Sequence, residues 1–108
     1  MAGSTITVTD ANFEETVLRS SMPVLLSFWA DWSGPSKQMA PHLEAIASER
    51  DDIVVAKLNI DENPATAATY GVTSIPTVHV YRHGEIMKTI SGAQGKASLE
   101  RNIAGFVI

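Results

Sequence analysis

Phe28-Trp29-Ala30-Asp31-Trp32-Ser33-Gly34-Pro35-Ser36-Lys37 carries three kinds of local structure in one short run. Val24 to Ala30 is almost wholly apolar, which suits a strand covered on both faces, as parallel strands in α/β folds are. Asp31 to Gly34 then supplies turn residues, and Ser33 is a good helix N-cap because its hydroxyl can accept from an amide of the first turn. From Ser33 to Arg50 the residues Met39, Leu43, Ile46 and Ala47 recur at helical spacing. Pro41 falls inside that pattern and is expected to kink the helix, since it has no N–H to donate to the preceding turn. A central strand running into a long helix through a Gly-Pro turn is the feature around which the rest of the chain must be arranged.

Toward the N-terminus, Thr5 to Val8 alternates and predicts a short strand. Asp10 is placed to cap a helix carrying Phe13, Val17 and Leu18 on its apolar face and ending near Ser21. Toward the C-terminus, Ile53 to Ile60 predicts a β-branched strand, and Asn63-Pro64 a cap and first residue of a short helix that Gly71 ends near Tyr70. Pro76 to Tyr81 and Glu85 to Ile90 predict two strands, joined through Arg82-His83-Gly84 as an antiparallel hairpin. A last helix runs from Lys96 to about Phe106, with Leu99, Ile103 and Phe106 on one face. The order β-α-β-α-β-α-β-β-α implies an α/β fold with a mixed sheet between helices, parallel at first and antiparallel at the end.

The chain has 108 residues, one domain's worth, and no linker or repeat divides 1–108. Hydrophobic residues make up 44% and charged residues 19%, an ordinary globular balance rather than that of a disordered chain. Eight Lys and Arg against twelve Asp and Glu leave no basic cluster to neutralise a phosphate backbone, so direct nucleic-acid binding is not expected. The apolar runs are too short to span a bilayer, and Met1-Ala2-Gly3 opens no signal-peptide pattern, so a cytoplasmic protein away from membranes is expected. His42, His79 and His83 have no helical partner carboxylate at metal-ligand spacing, and neither a metal nor a cofactor is expected. No glycine-rich phosphate loop and no Gly-x-Ser-x-Gly elbow is present. Cysteine is absent altogether, which removes disulfides, thiolate metal sites and thiol nucleophiles together.

The opening segment resembles the active-site motif of the thioredoxin family, Trp-Cys-Gly-Pro-Cys-Lys, with Ser33 and Ser36 standing where the two cysteines belong. The resemblance extends over nearly the whole chain. Ala40-Pro41-His42-Leu43-Glu44, Lys57-Leu58-Asn59-Ile60-Asp61-Glu62-Asn63-Pro64, Tyr70-Gly71-Val72-Thr73-Ser74-Ile75-Pro76-Thr77 and Gly92-Ala93 follow the family in order and spacing. It implies a thioredoxin fold, a central mixed five-stranded sheet flanked by four helices. It also implies a cis peptide at Ile75-Pro76 and a monomer that binds protein or extended peptide segments. The binding groove it implies consists of Trp32, Gly34, Pro35, Val72, Ile75, Pro76, Gly92 and Ala93. Ser27 occupies the place of the family's buried aspartate, and the resemblance puts it beside Lys57 on adjacent central strands.

Those serines alter the chemistry that the resemblance would otherwise imply. Disulfide reduction proceeds through a thiolate at the helix N-terminus and resolution by a second thiol three residues later. A serine hydroxyl is very weakly acidic and forms no mixed disulfide. The catalytic positions Ser33, Ser36 and Ser27, with Lys57, are therefore expected to be redox-inactive, Ser33 serving as N-cap and Ser27 hydrogen-bonding to backbone or to Lys57. Two readings of function stay open. One is a natural binding or stabilising subunit; the other is a protein-disulfide reductase whose cysteines have been replaced by serine. Ser27 favours the first, because silencing the thiols does not require changing the buried acid.

Overall fold

The computed structural model describes residues 4–106, the Phe106 side chain excepted. Five strands form one sheet: β1 (Ile6–Thr7), β2 (Val24–Trp29), β3 (Val54–Asn59), β4 (Thr77–Arg82) and β5 (Glu85–Ser91), in spatial order β1-β3-β2-β4-β5. β1, β3 and β2 run parallel, and β4 and β5 continue antiparallel. The helices are α1 (Gly34–Glu49), α2 (Pro64–Thr69) and α3 (Lys96–Ile103), with a π-type turn at Glu14–Leu18 and a 3₁₀ turn at Ala104–Phe106. This is the mixed α/β sheet expected from the order of elements, and the thioredoxin fold that the resemblance implies.

β2 is central because its side chains are buried on both faces. Alternation sends Leu25 into an aliphatic cluster with Met39, Leu43 and Ile46 of α1 and Leu99 and Ile103 of α3. Val24, Leu26 and Phe28 go to the other face, where they meet Phe13, Val17, Leu58, Ala67 and Tyr81. α1 runs unbroken through Pro41.

Several local expectations are corrected. β1 is shorter than Thr5–Val8 because Thr5 leaves the ladder, its N–H and hydroxyl both donating to the Glu44 carboxylate. The helix expected after Asp10 is only the π-type turn, closed by Arg19 N–H donating to Glu14 O at 2.9 Å. Asp10 does not cap it; Thr9 and Asn12 do the local capping, each side-chain oxygen accepting from the other's backbone N–H. Asp10 reaches α2 instead and accepts from Thr66 N–H at 2.8 Å, Thr66 Oγ1 at 2.7 Å and Ala65 N–H at 3.2 Å. Asn63, expected as that cap, makes no cap bond and accepts from Asp10 N–H at 2.9 Å.

Gly71 ends α2 as expected: at φ +66° it lets its own N–H reach Ala68 O and Val72 N–H reach Ala67 O, a Schellman closure. The β4–β5 turn is one residue tighter than expected, Arg82 pairing with Glu85 within the ladder. His83 and Gly84 carry it with φ of +53° and +80°, the geometry of a type I′ turn. Leu99 and Ile103 are buried as predicted on α3, while the Phe106 side chain lies outside what the structure describes.

Candidate functional site

The sheet register assembles the site from three separate stretches of sequence. Phe28 pairs with Thr77, and Thr77 with Ser91. The segment leaving β2, the segment entering β4 and the segment leaving β5 therefore meet at one end of the sheet. Gly92 N–H donates to Pro76 O at 2.9 Å, which ties the last two together, and the Ile75–Pro76 peptide is cis as expected. Gly34, Pro35, Gly92 and Ala93 are exposed there, Val72 and Ile75 are half-buried against the Phe28 cluster, and Pro76 is buried.

Trp32 stands at the rim with 69% of its surface exposed. Its indole N–H donates to Asp61 Oδ2 at 2.9 Å, so this large side chain is held in place without being buried. The loop that carries Asp61 is itself ordered by Asn59, whose Oδ1 accepts from Asp61 N–H at 2.9 Å. Asp61 escapes detection in the sequence because its partner lies 29 residues away.

Ser33 caps α1. Its backbone is extended, and its Oγ accepts from Ser36 N–H at 3.2 Å. Ser33 and Ser36 are both buried, with 5% and 3% exposure. One hydroxyl is thus occupied as a cap, whereas Ser36 Oγ has no hydrogen-bond partner among the described residues. Neither serine has a base beside it in the hydrogen bonds formed there, so the pair has the place of a dithiol and none of its nucleophilic character.

Behind Ser36 lies a cavity of about 220 Å³ between α1 and the sheet, bounded by Ser27, Trp29, Leu43, Glu44 and Lys57 among others. Ser27 and Lys57 are register partners on β2 and β3, as expected. Of the two partners expected for the Ser27 hydroxyl, backbone or Lys57, the bond to Lys57 is not formed. The Lys57 ammonium turns to the Glu44 carboxylate, 3.8 Å from Oε2, and sits 6.0 Å from the centre of the Trp29 ring. Hydrogen bonding from the Thr5 hydroxyl, against a smaller upward push from burial, holds the Glu44 carboxyl below its ordinary pKa, with Thr5 N–H and Lys57 assisting. Trp29 is half-buried and forms a wall of the cavity.

Neither Glu44 nor Thr5 is expected from the sequence as a site residue. Glu44 did leave a signal there, since Ser36, Ala40, Leu43 and Glu44 recur at the spacing of one helix face. Among the described residues no group of three or more His, Asp or Glu side chains comes together as metal ligands would.

A buried strand thus delivers the Gly-Pro helix N-terminus to the end of the sheet that also carries the cis X-Pro peptide, with hydroxyls at positions 33 and 36. The sequence model of the family described as Thioredoxin matches residues 4–105. A thioredoxin of Streptomyces clavuligerus is 58% identical over 101 residues, covering 94% of each chain. A thioredoxin of Mycobacterium bovis is 51% identical over 105 residues, covering 96% of this chain and 90% of the relative. A bifunctional thioredoxin reductase/thioredoxin of Mycobacterium leprae is 51% identical over 107 residues, 98% of this chain and 23% of that larger protein. The chain belongs to the thioredoxin family, and its lack of cysteine fits a redox-inactive variant of it.

Proposed function

We propose that this chain is a binding module of the thioredoxin family: a monomer in the cytoplasm that holds an extended segment of a partner protein and stabilises or helps assemble that partner. The observation that carries this reading is the contrast at one end of the sheet. Trp32 is exposed yet pinned by Asp61, and the Pro76–Gly92 link is made, while both thiol positions are serine and one of them is spent as a helix cap. An aromatic anchor beside half-buried Val72 and Ile75 suits a peptide laid across the loops, the indole supplying contact area and the backbone near Ile75–Pro76 supplying register. Affinity on this reading is modest, because no covalent step holds the partner. A reductase whose cysteines had merely been replaced leaves Ser27 unexplained, so the binding reading is preferred.

The test is a pull-down from cell extract with three proteins: the chain itself, Trp32→Ala combined with Ile75→Ala, and Met87→Ala, an exposed residue on β5 away from the loops. The first and third should retain the same partners. The double variant should lose them, with affinity for any isolated partner down at least ~10-fold. Identical partner sets for all three would remove the groove as the interface. In a parallel insulin-reduction assay with dithiothreitol, the chain should add nothing to the reductant-only rate, and turnover above that rate would overturn the redox-inactive assignment.

A further inference from the structure

We propose that the cavity between α1 and the sheet is a binding site for a small monocarboxylate with an apolar body, such as an aromatic or short branched-chain acid. The walls and the polar groups divide the work. Leu43, Ala40 and the Trp29 ring line the space, and its exposed lining is predominantly apolar. A dry cavity of about 150 Å³ takes up benzene, so about 220 Å³ has room for a ring and a carboxylate.

Two independent observations point to the head group. Ser36 is buried, with 3% exposure, and borders the cavity, and its Oγ has no hydrogen-bond partner among the described residues; such a hydroxyl has a donor to offer. The Lys57 ammonium borders the same space, and its contact with Glu44 is loose, at 3.8 Å. Glu44 keeps its full charge, but it is one carboxylate against two lysines that border the space, Lys57 and Lys37. A carboxylate set between Lys57 Nζ and the hydroxyls of Ser36 and Ser27 would accept charge-assisted hydrogen bonds, leaving its apolar body against Trp29 and Leu43. A neutral analogue of the same shape would keep the packing and lose those bonds. The site faces α1 and β3, away from the loops assigned to the partner protein, so it stands independently of that assignment.

The experiment is a titration of the isotopically labelled chain with benzoate and, separately, with benzamide, followed by amide chemical shifts and Trp29 fluorescence. Saturable benzoate shifts should centre on Ser27, Ser36 and Lys57, with a Kd on the order of a millimolar or below. Benzamide should bind at least ~10-fold more weakly. Lys57→Met should erase that preference, Ser36→Ala should weaken benzoate ~3–10-fold, and Ala40→Phe should close the space and abolish binding while leaving the far-ultraviolet spectrum unchanged. Trp32→Ala with Ile75→Ala should bind benzoate as the parent does. Equal affinity for benzoate and benzamide, shifts centred elsewhere, or no saturation by ~10 mM would each overturn the proposal; if Lys57→Met proves unfolded, Ser36→Ala and the benzamide comparison decide it.

Discussion

The two faces of the sheet are built differently. The face beneath α1 and α3 is closed by aliphatic side chains, Leu25, Met39, Leu43, Ile46, Val55, Leu99 and Ile103 among them. The face beneath the π-type turn and α2 is aromatic and threaded with polar contacts. Phe13, Tyr70 and Tyr81 pack with ring centres 5.4–5.9 Å apart, His79 is inserted among Phe28, Tyr70 and Tyr81, and Asp10 clasps the start of α2. The aliphatic face takes its stability from area and shape, which do not depend on pH. The aromatic face depends on ionisation states as well. The cavity interrupts the first face at one end, where Ser27 and Ser36 replace what would otherwise be a continuous apolar layer.

The sharpest way to separate the two faces is to damage each with a single substitution and follow stability against pH. Leu99 is fully buried in the aliphatic cluster. Leu99→Ala removes its packing and leaves space that the helix cannot fully close, so unfolding in urea should show a loss of about 3 kcal/mol. That deficit should be the same at pH 5 and pH 8. A deficit that changed with pH would mean the aliphatic face is coupled to a titrating group after all.

Asp10→Ala comes next in size. Burial pushes the Asp10 carboxyl up, but hydrogen bonds from the Thr66 side chain and from the Thr66 and Ala65 amides outweigh it and hold the pKa below the ordinary value. Losing a cap with several donors should cost about 2 kcal/mol near neutral pH. Because the folded pKa is lowered, the carboxylate's contribution is complete above the unfolded value of ~3.9 and is lost as pH falls through the folded value. The gap between parent and variant should therefore be constant from pH 5 to pH 8 and narrow in acid below pH 4. A gap that stayed constant into that acid range would show that Asp10 holds α2 by shape and not by charge.

The same contrast explains what could be read from the sequence. Leu43, Ile46, Leu99 and Ile103 announce their face by period alone, and Ser33 and Gly71 announce the ends of α1 and α2, because each acts on neighbours within one turn. Asp10 departs from its expected role because capping rules look three or four residues ahead, whereas its partners are 55 and 56 residues away. Asn63 departs for the complementary reason: with Asp10 already on the Thr66 amide, its own side chain is free to hold Asp10 N–H. At the site, the positions of Ser33, Ser36, Ser27 and Lys57 followed from the motif. The turning of Lys57 toward Glu44 did not, since it depends on Thr5 drawing that carboxylate to the edge of the sheet.

The smallest expected effect near neutral pH sharpens the comparison from within the aromatic face. His79 is buried, with its Nδ1 3.0 Å from the Tyr81 hydroxyl and three aromatic rings around it. Burial lowers its pKa, because an imidazolium would lose hydration that nothing in this cluster replaces. Burial likewise raises the Tyr81 hydroxyl far out of the physiological range, so Tyr81 remains a neutral partner. The unfolded chain takes up a proton at His79 near pH ~6.5, before the folded chain does. Stability is thus fully present above that pH and is lost as pH falls from it through the folded pKa, with a slope of at most ~1.4 kcal/mol per pH unit for one proton. His79→Leu keeps the volume roughly, removes the proton site and should flatten the profile between pH 7 and pH 5, on top of a pH-independent loss of about 1 kcal/mol for the buried Tyr81 hydroxyl it leaves unpaired. Urea unfolding of the two proteins across that range measures it directly. Parallel profiles would show that the folded cluster accepts the imidazolium as readily as water does, and that the aromatic face is as indifferent to acid in this range as the aliphatic one.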